Sequence, residues 1–494
     1  MCENSSLKNK EKSIAKNVVF NIAYRIMNMI FPFITSIYIS HILMAEGVGK
    51  VSTAQNIVQY FVLLAPLGLL NYGTREIAKI KKSKKDTDKL FTELFTINFC
   101  STLCCTLAYY IMIFNINSFQ GEKALYIVAG LPIIFNFINI EWYYQGNEDY
   151  VYITVRSLIV KILSLIAIFI FVKDANDYVY YALIYSLGIA GNYIFNISSV
   201  AKRGIRLNFS NIEFYKHFKP IAILLCSTIA IELYTLLDTT MLGILCTDEI
   251  VGYYTNSIRL VKIVVSLIAA IGGVLLPRLT YYKENNMINE CNQLISKITQ
   301  IMIFFAIPCG LGISVLSEQI VLIMFGESFV PSILTVRIAT GLIYVLAFSN
   351  LFGTQVLLTF GQEKKLLICT CTGAISNIIM NSILIPLFQH NGATIASVIS
   401  ETIVTCMTVY FALKYVKVSI SFSFLVKTIV AGIGMSLIIY KIGNYINNDL
   451  SCILVSIVVG VMTYILLGLI LKNPLIQDAK EAIHKKILSN WKFR

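Results

Sequence analysis

Long apolar runs separated by short polar connections set the pattern of this chain. A helix that crosses bilayer hydrocarbon needs ~20 predominantly apolar residues. About fourteen such runs can be marked, starting near Asn17, Val48, Phe91, Ala124, Tyr152, Val179, Ile221, Ile250, Leu294, Ser332, Leu366, Ala393, Phe422 and Cys452. The connections leave no room for a soluble domain, apart from a basic tail after Leu471. The pattern predicts an all-α polytopic membrane protein.

Within it, the stretch Leu237 to Arg278 reads as an apolar run, a short acidic turn and a second apolar run ending in Pro277-Arg278. Sliding the sequence so that Glu46 falls on Glu249 also puts Val48 on Val251, Gly49 on Gly252 and, without a gap, Arg75 on Arg278. Two helical hairpins in one register predict a protein built of two similar halves, inserted in the same direction. The expected organisation is an N-terminal six-helix bundle over residues 1–210, a C-terminal six-helix bundle over 211–418, two additional transmembrane helices over 419–472 and a basic cytoplasmic tail over 473–494. The segment FSNIEFYKHF, between the halves, is expected to form a short amphipathic interfacial helix.

Composition agrees. Of 494 residues 57% are hydrophobic and only 14% charged, and the mean hydropathy is +0.73; soluble proteins carry about 25% charged residues. The formal net charge of +13 would suggest nucleic acid in a soluble protein. Here the basic residues cluster in alternate short loops, so they report topology: both termini are expected in the cytoplasm. No nucleic-acid motif appears, and no cleavable signal sequence is expected. The twelve cysteines fall mostly inside apolar runs and read as small, buried, reduced residues.

Charges inside apolar runs are costly and mark candidate function. The first helix carries Asn21, Arg25, Asn28, Pro32 and Ser36 at steps of three and four residues, hence on one face. Asn56 lies on the second helix, Asn256, Arg259, Lys262 and Ser266 on the eighth, and Arg337 on the tenth. These stripes are expected to face one water-filled cavity, cationic from Arg25, Arg259 and Lys262. Guanidinium and ammonium groups suit a phosphate-bearing anion. The substrate-binding set is therefore Arg25, Asn21, Asn28, Asn56, Arg259 and Lys262. The embedded carboxylates Asp238, Glu232 and Glu401 are candidates for coupling an ion. The same residues also suit structural ion pairs, with Arg25, Arg259 or Arg337 facing Asp238, Glu232 or Glu401, or snorkelling to an interface. Glu141, at the start of EWYYQG, reads as interfacial.

Enzymatic chemistry finds little support. Four histidines without ligand spacing argue against a catalytic metal. There is no Walker or dinucleotide motif, and Asp86-Thr87-Asp88 reads as the start of the third helix. No cofactor is expected.

LDTTMLGILCTDEIVGYYTNSIRL (from Leu237), NYGTREIAK (from Asn71), EWYYQGNEDY (from Glu141) and LLPRLT (from Leu275) together resemble polysaccharide flippases of the oligosaccharidyl-lipid exporter type, in the same superfamily as the multidrug extruders. The resemblance implies two six-helix bundles in a V with alternating access and two extra C-terminal helices. It implies a substrate of the undecaprenyl-diphosphate oligosaccharide type, moved from the inner to the outer leaflet of a bacterial cytoplasmic membrane for O-antigen or capsule synthesis. Membrane lipids and polysaccharide polymerase or assembly proteins are the implied partners. A related lipid II flippase uses arginines of its first and eighth helices for the diphosphate, which implies that role for Arg25 and Arg259. A multidrug or cation extruder of the same fold and a lipid II-type peptidoglycan precursor flippase remain the alternatives.

Overall fold

The structure, a computed structural model, describes the backbone of residues 2–80, 84–210, 212–273, 276–446, 448–478 and 480–481. Side chains are described for these residues other than 2–19, 21–23, 25–26, 29, 84–85, 201–202, 223, 226–231, 233–234, 273 and 276–277. Among the described residues every regular element is helical. The chain divides into two compact units, Met1–Gly243 and Ile244–Arg494.

The first unit begins with α1 (Cys2–Leu64), α2 (Leu69–Ile80) and α3 (Lys84–Asn115). Short helices α4 (Lys123–Ala129), α5 (Leu131–Phe135) and α6 (Glu141–Gly146) precede α7 (Tyr150–Phe171), α8 (Tyr178–Lys202) and α9 (Tyr215–Leu245). The second unit holds α10 (Asp248–Gly273), α11 (Leu276–Glu284), α12 (Ile288–Val315), α13 (Ser317–Phe325), α14 (Ile333–Ala339) and α15 (Gly341–Ser349). It ends with α16 (Glu363–Ala412), α17 (Phe422–Tyr445) and α18 (Asp449–Ile470).

Among the described residues nine helices are long and apolar enough to cross a membrane, or ten if the pair Glu327–Ala339 and Gly341–Leu357, bent by 45°, is one span. Two of the nine are unusually long. α1 is broken at Met44 (φ 56) and α16 at Gln389 (φ 50). A continuous helix of 50 residues, the length of α16, would extend about 75 Å at ~1.5 Å per residue, more than twice the ~30 Å of hydrocarbon. The left-handed backbone at each break separates the two apolar runs read from the sequence. At the second break only glycine fits position 392, because a Cβ there would lie 2.0 Å from the Leu384 carbonyl oxygen. Bands of large exposed apolar side chains, such as Leu103, Leu107 and Ile111 on α3 and Val458, Val461 and Met462 on α18, are what hydrocarbon rather than water would cover.

The core of the first unit joins the quoted motifs. Leu69, Tyr72 and Ile77 of α2 pack with Phe91 and Leu94 of α3 and with Trp142, Tyr143 and Tyr144 of α6. Gly73 permits this, since a Cβ would meet the Trp142 ring at 2.8 Å. Arg203 pairs with Asp149 and lies over the Tyr144 ring at 5.0 Å. Burial lifts the Tyr144 phenol well above its usual range, so it stays neutral and donates to the Asn196 carbonyl at 2.7 Å.

FSNIEFYKHF forms no separate helix among the described residues; its last four residues, from Tyr215, begin α9. Ahead of Tyr215 the described backbone, from Asn208 just before the segment, gives donors to α3 side chains. Asn208 N–H donates to Thr92 Oγ1 at 2.8 Å, and Glu213 N–H donates to Glu93 Oε1 at 2.9 Å. Partners outside the segment replace the intrahelical bonds. The cysteines are not uniformly buried either: Cys291, Cys369 and Cys452 are, whereas Cys100, Cys104, Cys371 and Cys406 are exposed.

In the second unit, Met435 and Ile439 of α17 and Tyr464 of α18 pack in one cluster with Leu316, and Tyr464 O–H donates to the Phe304 carbonyl of α12 at 2.8 Å. Gly432 and Gly460 allow the close approach: Cβ atoms would meet Ile307 at 2.8 Å and Ile439 at 2.9 Å. Small residues at helix contacts are the usual means of packing within lipid.

Candidate functional site

Three helices of the first unit present polar faces to one cavity of about 330 Å³, within the ~300–1,000 Å³ of small-molecule sites. On α1 the lining residues are Tyr24, Asn28, Phe31 and Thr35; on α7 Ser157, Lys161, Ser164 and Ile168; on α8 Tyr181, Tyr185, Gly188 and Asn192. Each set recurs at i, i+4, i+7 and i+11, the spacing that keeps side chains on one helical face. Gly188 lets α8 approach α7; a Cβ would lie 2.7 Å from Ser164 Oγ.

Three charges stand in this lining: Glu141, Arg156 and Lys161. Arg156 is 3% exposed. It hydrogen-bonds the Asn196 side-chain oxygen and pairs with Glu141 at 3.6 Å, yet its buried Nε has no hydrogen-bond partner among the described residues. Glu141 accepts from Tyr24 O–H at 3.2 Å and from Gln145 at 3.3 Å. It is half-buried and bridges Tyr24 of α1 and Arg156 of α7, which compensate its burial. Among the described residues Lys161 makes only a long contact, 3.5 Å to the Met27 carbonyl, and lies 5.5 Å over the Phe31 ring. An ammonium with spare donors, a second cation in the lining and a ring of hydroxyls and amides can bind an anion that also carries hydroxyls.

The expected site residues are distributed differently. Asn21 and Arg25 lie outside the described side chains. Asn28 and Pro32 line the cavity. Asn56 is 8% exposed and donates to Thr240 Oγ1 at 2.7 Å, where Tyr60 also bonds at 2.6 Å; its donor ties α1 to α9. Arg259 is half-buried and Lys262 exposed on α10, and neither has a recorded hydrogen bond or ion pair among the described residues. Asp238 is buried in α9 and Glu401 half-buried in α16; both are engaged in polar interactions. Glu232 is half-buried on α9. Arg337, read as an ion-pairing candidate, donates from Nε to Ser317 Oγ at 2.8 Å. No group of three or more metal-ligating side chains occurs among the described residues. A second cavity, about 360 Å³, has an almost wholly apolar lining that includes Phe304, Pro308, Met435, Ile439 and Tyr464, and offers mainly hydrocarbon contacts.

Residues 14–283 match the model of a family described as polysaccharide biosynthesis protein. The chain belongs to this family. An Escherichia coli (strain K12) relative named for O-antigen transport is 22% identical over 409 residues, covering 81% of this chain and 96% of the relative. The Haloferax volcanii relative Agl15, named as a flippase of low-salt glycan biosynthesis, is 23% identical over 62% of this chain and 64% of its own. Among solved structures, lipid II flippase MurJ in an inward closed conformation superposes with a TM-score of 0.77 at 16% identity, over 93% of this chain and 100% of that one. An inward-facing multidrug resistance MATE family transporter of the MOP superfamily gives a TM-score of 0.60 at 14% identity, over 80% and 97%. This member of the polysaccharide biosynthesis family is thus a multi-pass membrane protein with the fold that those two transporters share.

Proposed function

We propose that the chain is a flippase for polyprenyl-diphosphate-linked oligosaccharides, in bacteria the undecaprenyl-linked repeat units of a surface polysaccharide, moved from the cytoplasmic to the outer leaflet of the inner membrane by alternating access. The observation that carries the reading is a cation-bearing, hydroxyl- and amide-lined cavity inside a bundle whose outer surface is apolar. A sugar-diphosphate head needs such a lining, because hydrocarbon offers it no hydrogen bonds, while the prenyl tail remains in lipid. The family and the names of the relatives support the same reading. A cation extruder would need carboxylates in excess; among the described lining residues two cations face one carboxylate.

In this proposal the chain crosses the membrane about fourteen times. The broken helices α1 and α16 each cross twice, and the shorter apolar stretches Lys123–Ile138 and Thr235–Leu245 belong to further crossings. Both termini face the cytoplasm. Arg25, Arg259 and Lys262 hold the diphosphate, Asn21, Asn28 and Asn56 contribute polar contacts, and Asp238, Glu232 and Glu401 couple an ion. Membrane lipids surround the protein, and polymerase or assembly proteins take the product.

Complementation tests the function. A bacterium deleted for its own O-antigen flippase, supplied with this chain, is expected to regain surface polysaccharide and to lose its internal pool of lipid-linked repeat units. Dye or drug resistance without surface glycan, across hosts with several repeat-unit chemistries, would refute it. Rescue of a host lacking only its peptidoglycan-precursor flippase would assign the chain to lipid II-type substrates instead.

A further inference from the structure

We propose that the cavity of the first unit is a glycan subsite that selects a carboxylated sugar, a uronate-type residue of the transported oligosaccharide, separately from the diphosphate. The inference rests on the flippase reading and adds to it the chemical class of the head group.

Three features point to a monoanionic sugar. The open donors are cationic: among the described residues Lys161 has only its 3.5 Å carbonyl contact, and Arg156 adds a second positive charge to the lining. A carboxylate at Lys161 takes up its spare donors. The carboxylate of Glu141 stands 3.6 Å from the Arg156 guanidinium, and a diphosphate there would meet like charge. Sugar hydroxyls, in contrast, donate to Glu141 while a single sugar carboxylate takes the cations. The remaining lining is saccharide-like in its complement: Tyr181 and Tyr185 offer ring faces, and Asn192 with Ser157, themselves 3.2 Å apart, offers amide and hydroxyl groups. An uncharged hexose would offer the Lys161 ammonium only neutral acceptors, whose bonds are about half as strong as those of a carboxylate.

Purified protein in lipid nanodiscs, titrated separately with D-glucuronate, D-glucose and inorganic pyrophosphate, tests the assignment, with ligand binding read from the unfolding midpoint. Glucuronate is expected to raise the midpoint and glucose to leave it unchanged. Lys161→Gln is expected to weaken glucuronate about tenfold or more, the size of one charge-assisted bond. Lys161 makes one long contact among the described residues, so its ligand-free midpoint should match wild type; if it does not, Ser164→Ala, a lining hydroxyl with no hydrogen-bond partner among the described residues, serves as the second variant, expected to weaken glucuronate without shifting that midpoint. Equal responses to glucuronate and glucose, or a glucuronate response unchanged in both variants, overturn the subsite. So does a pyrophosphate response lost in Lys161→Gln, which would give this cavity to the diphosphate. Pyrophosphate binding without any glucuronate response also overturns it while leaving the flippase reading intact. Failure of the flippase reading is seen elsewhere, as absence of surface glycan in the complemented host.

Discussion

Glu93→Ala is expected to destabilise the protein by about 2–3 kcal/mol, the cost of leaving buried hydrogen-bond donors without their carboxylate acceptor. The Glu93 side chain is fully buried and collects three partners from the stretch that leads into and begins α9. Its Oε2 lies 2.9 Å from His217 Nε2 and 3.1 Å from Lys216 Nζ. Its Oε1 accepts the Glu213 N–H at 2.9 Å. A carboxylate only accepts, so Nε2 carries the His217 proton, and in the neutral ring Nδ1 accepts a hydrogen bond from the Tyr72 hydroxyl at 2.7 Å. Alanine leaves the buried His217 Nε2 and the Glu213 N–H without their acceptor where the segment before α9 meets α3. Thermal unfolding in detergent reads the loss. His217→Ala in the Glu93→Ala background is expected to cost far less than His217→Ala alone, since both act on one network. Additive losses, or a Glu93→Ala protein as stable as wild type, would show that this contact does not hold the segment.

Replacing Arg259 and Lys262 together by alanine is expected to reduce surface glycan in a complemented host by roughly 10²- to 10⁴-fold, at ~1.5–3 kcal/mol for each charge-assisted bond to phosphate. Neither side chain has a recorded partner among the described residues, so removing it orphans no charge. Unchanged protein in the membrane would separate this effect from folding. A charge-keeping Arg259→Lys is expected to recover part of the export, because an ammonium keeps the charge and loses the bidentate fork. Wild-type glycan in the double variant would remove the diphosphate role from α10.

Much of the helical framework was legible because a membrane span is a local property: an apolar run of sufficient length declares itself. The breaks inside α1 and α16 were legible for the same reason, as boundaries between runs near Val48 and Ala393. The site was less legible. The stripe rule selected Asn28 and Pro32, which do line the cavity, but Lys161 and Arg156 carry the same signal in YVYITVRSLIVKIL; two cations in an apolar helix are as conspicuous as Arg259 and Lys262. What the sequence hid was Glu141, whose burial depends on Arg156 and on Tyr24, 117 residues away. Glu93 was hidden similarly. It follows the charged run KKSKKDTDK and looks solvated, and its partner His217 lies 124 residues on. Local pattern reports which helices exist; which charge meets which is decided by tertiary packing.

Translocation itself is the most direct test. Liposomes carrying a short-chain polyprenyl-diphosphate oligosaccharide in both leaflets, with and without the purified protein, are exposed to a membrane-impermeant lectin that binds the glycan. The account predicts that vesicles with protein let the lectin titrate nearly the whole pool without ATP, that protein-free vesicles expose only the outer-leaflet share, and that the Arg259, Lys262 double variant behaves like protein-free vesicles. Outer-leaflet labelling alone in vesicles holding folded wild-type protein, repeated with acidic and neutral glycans, would contradict the claim that this chain moves lipid-linked oligosaccharides.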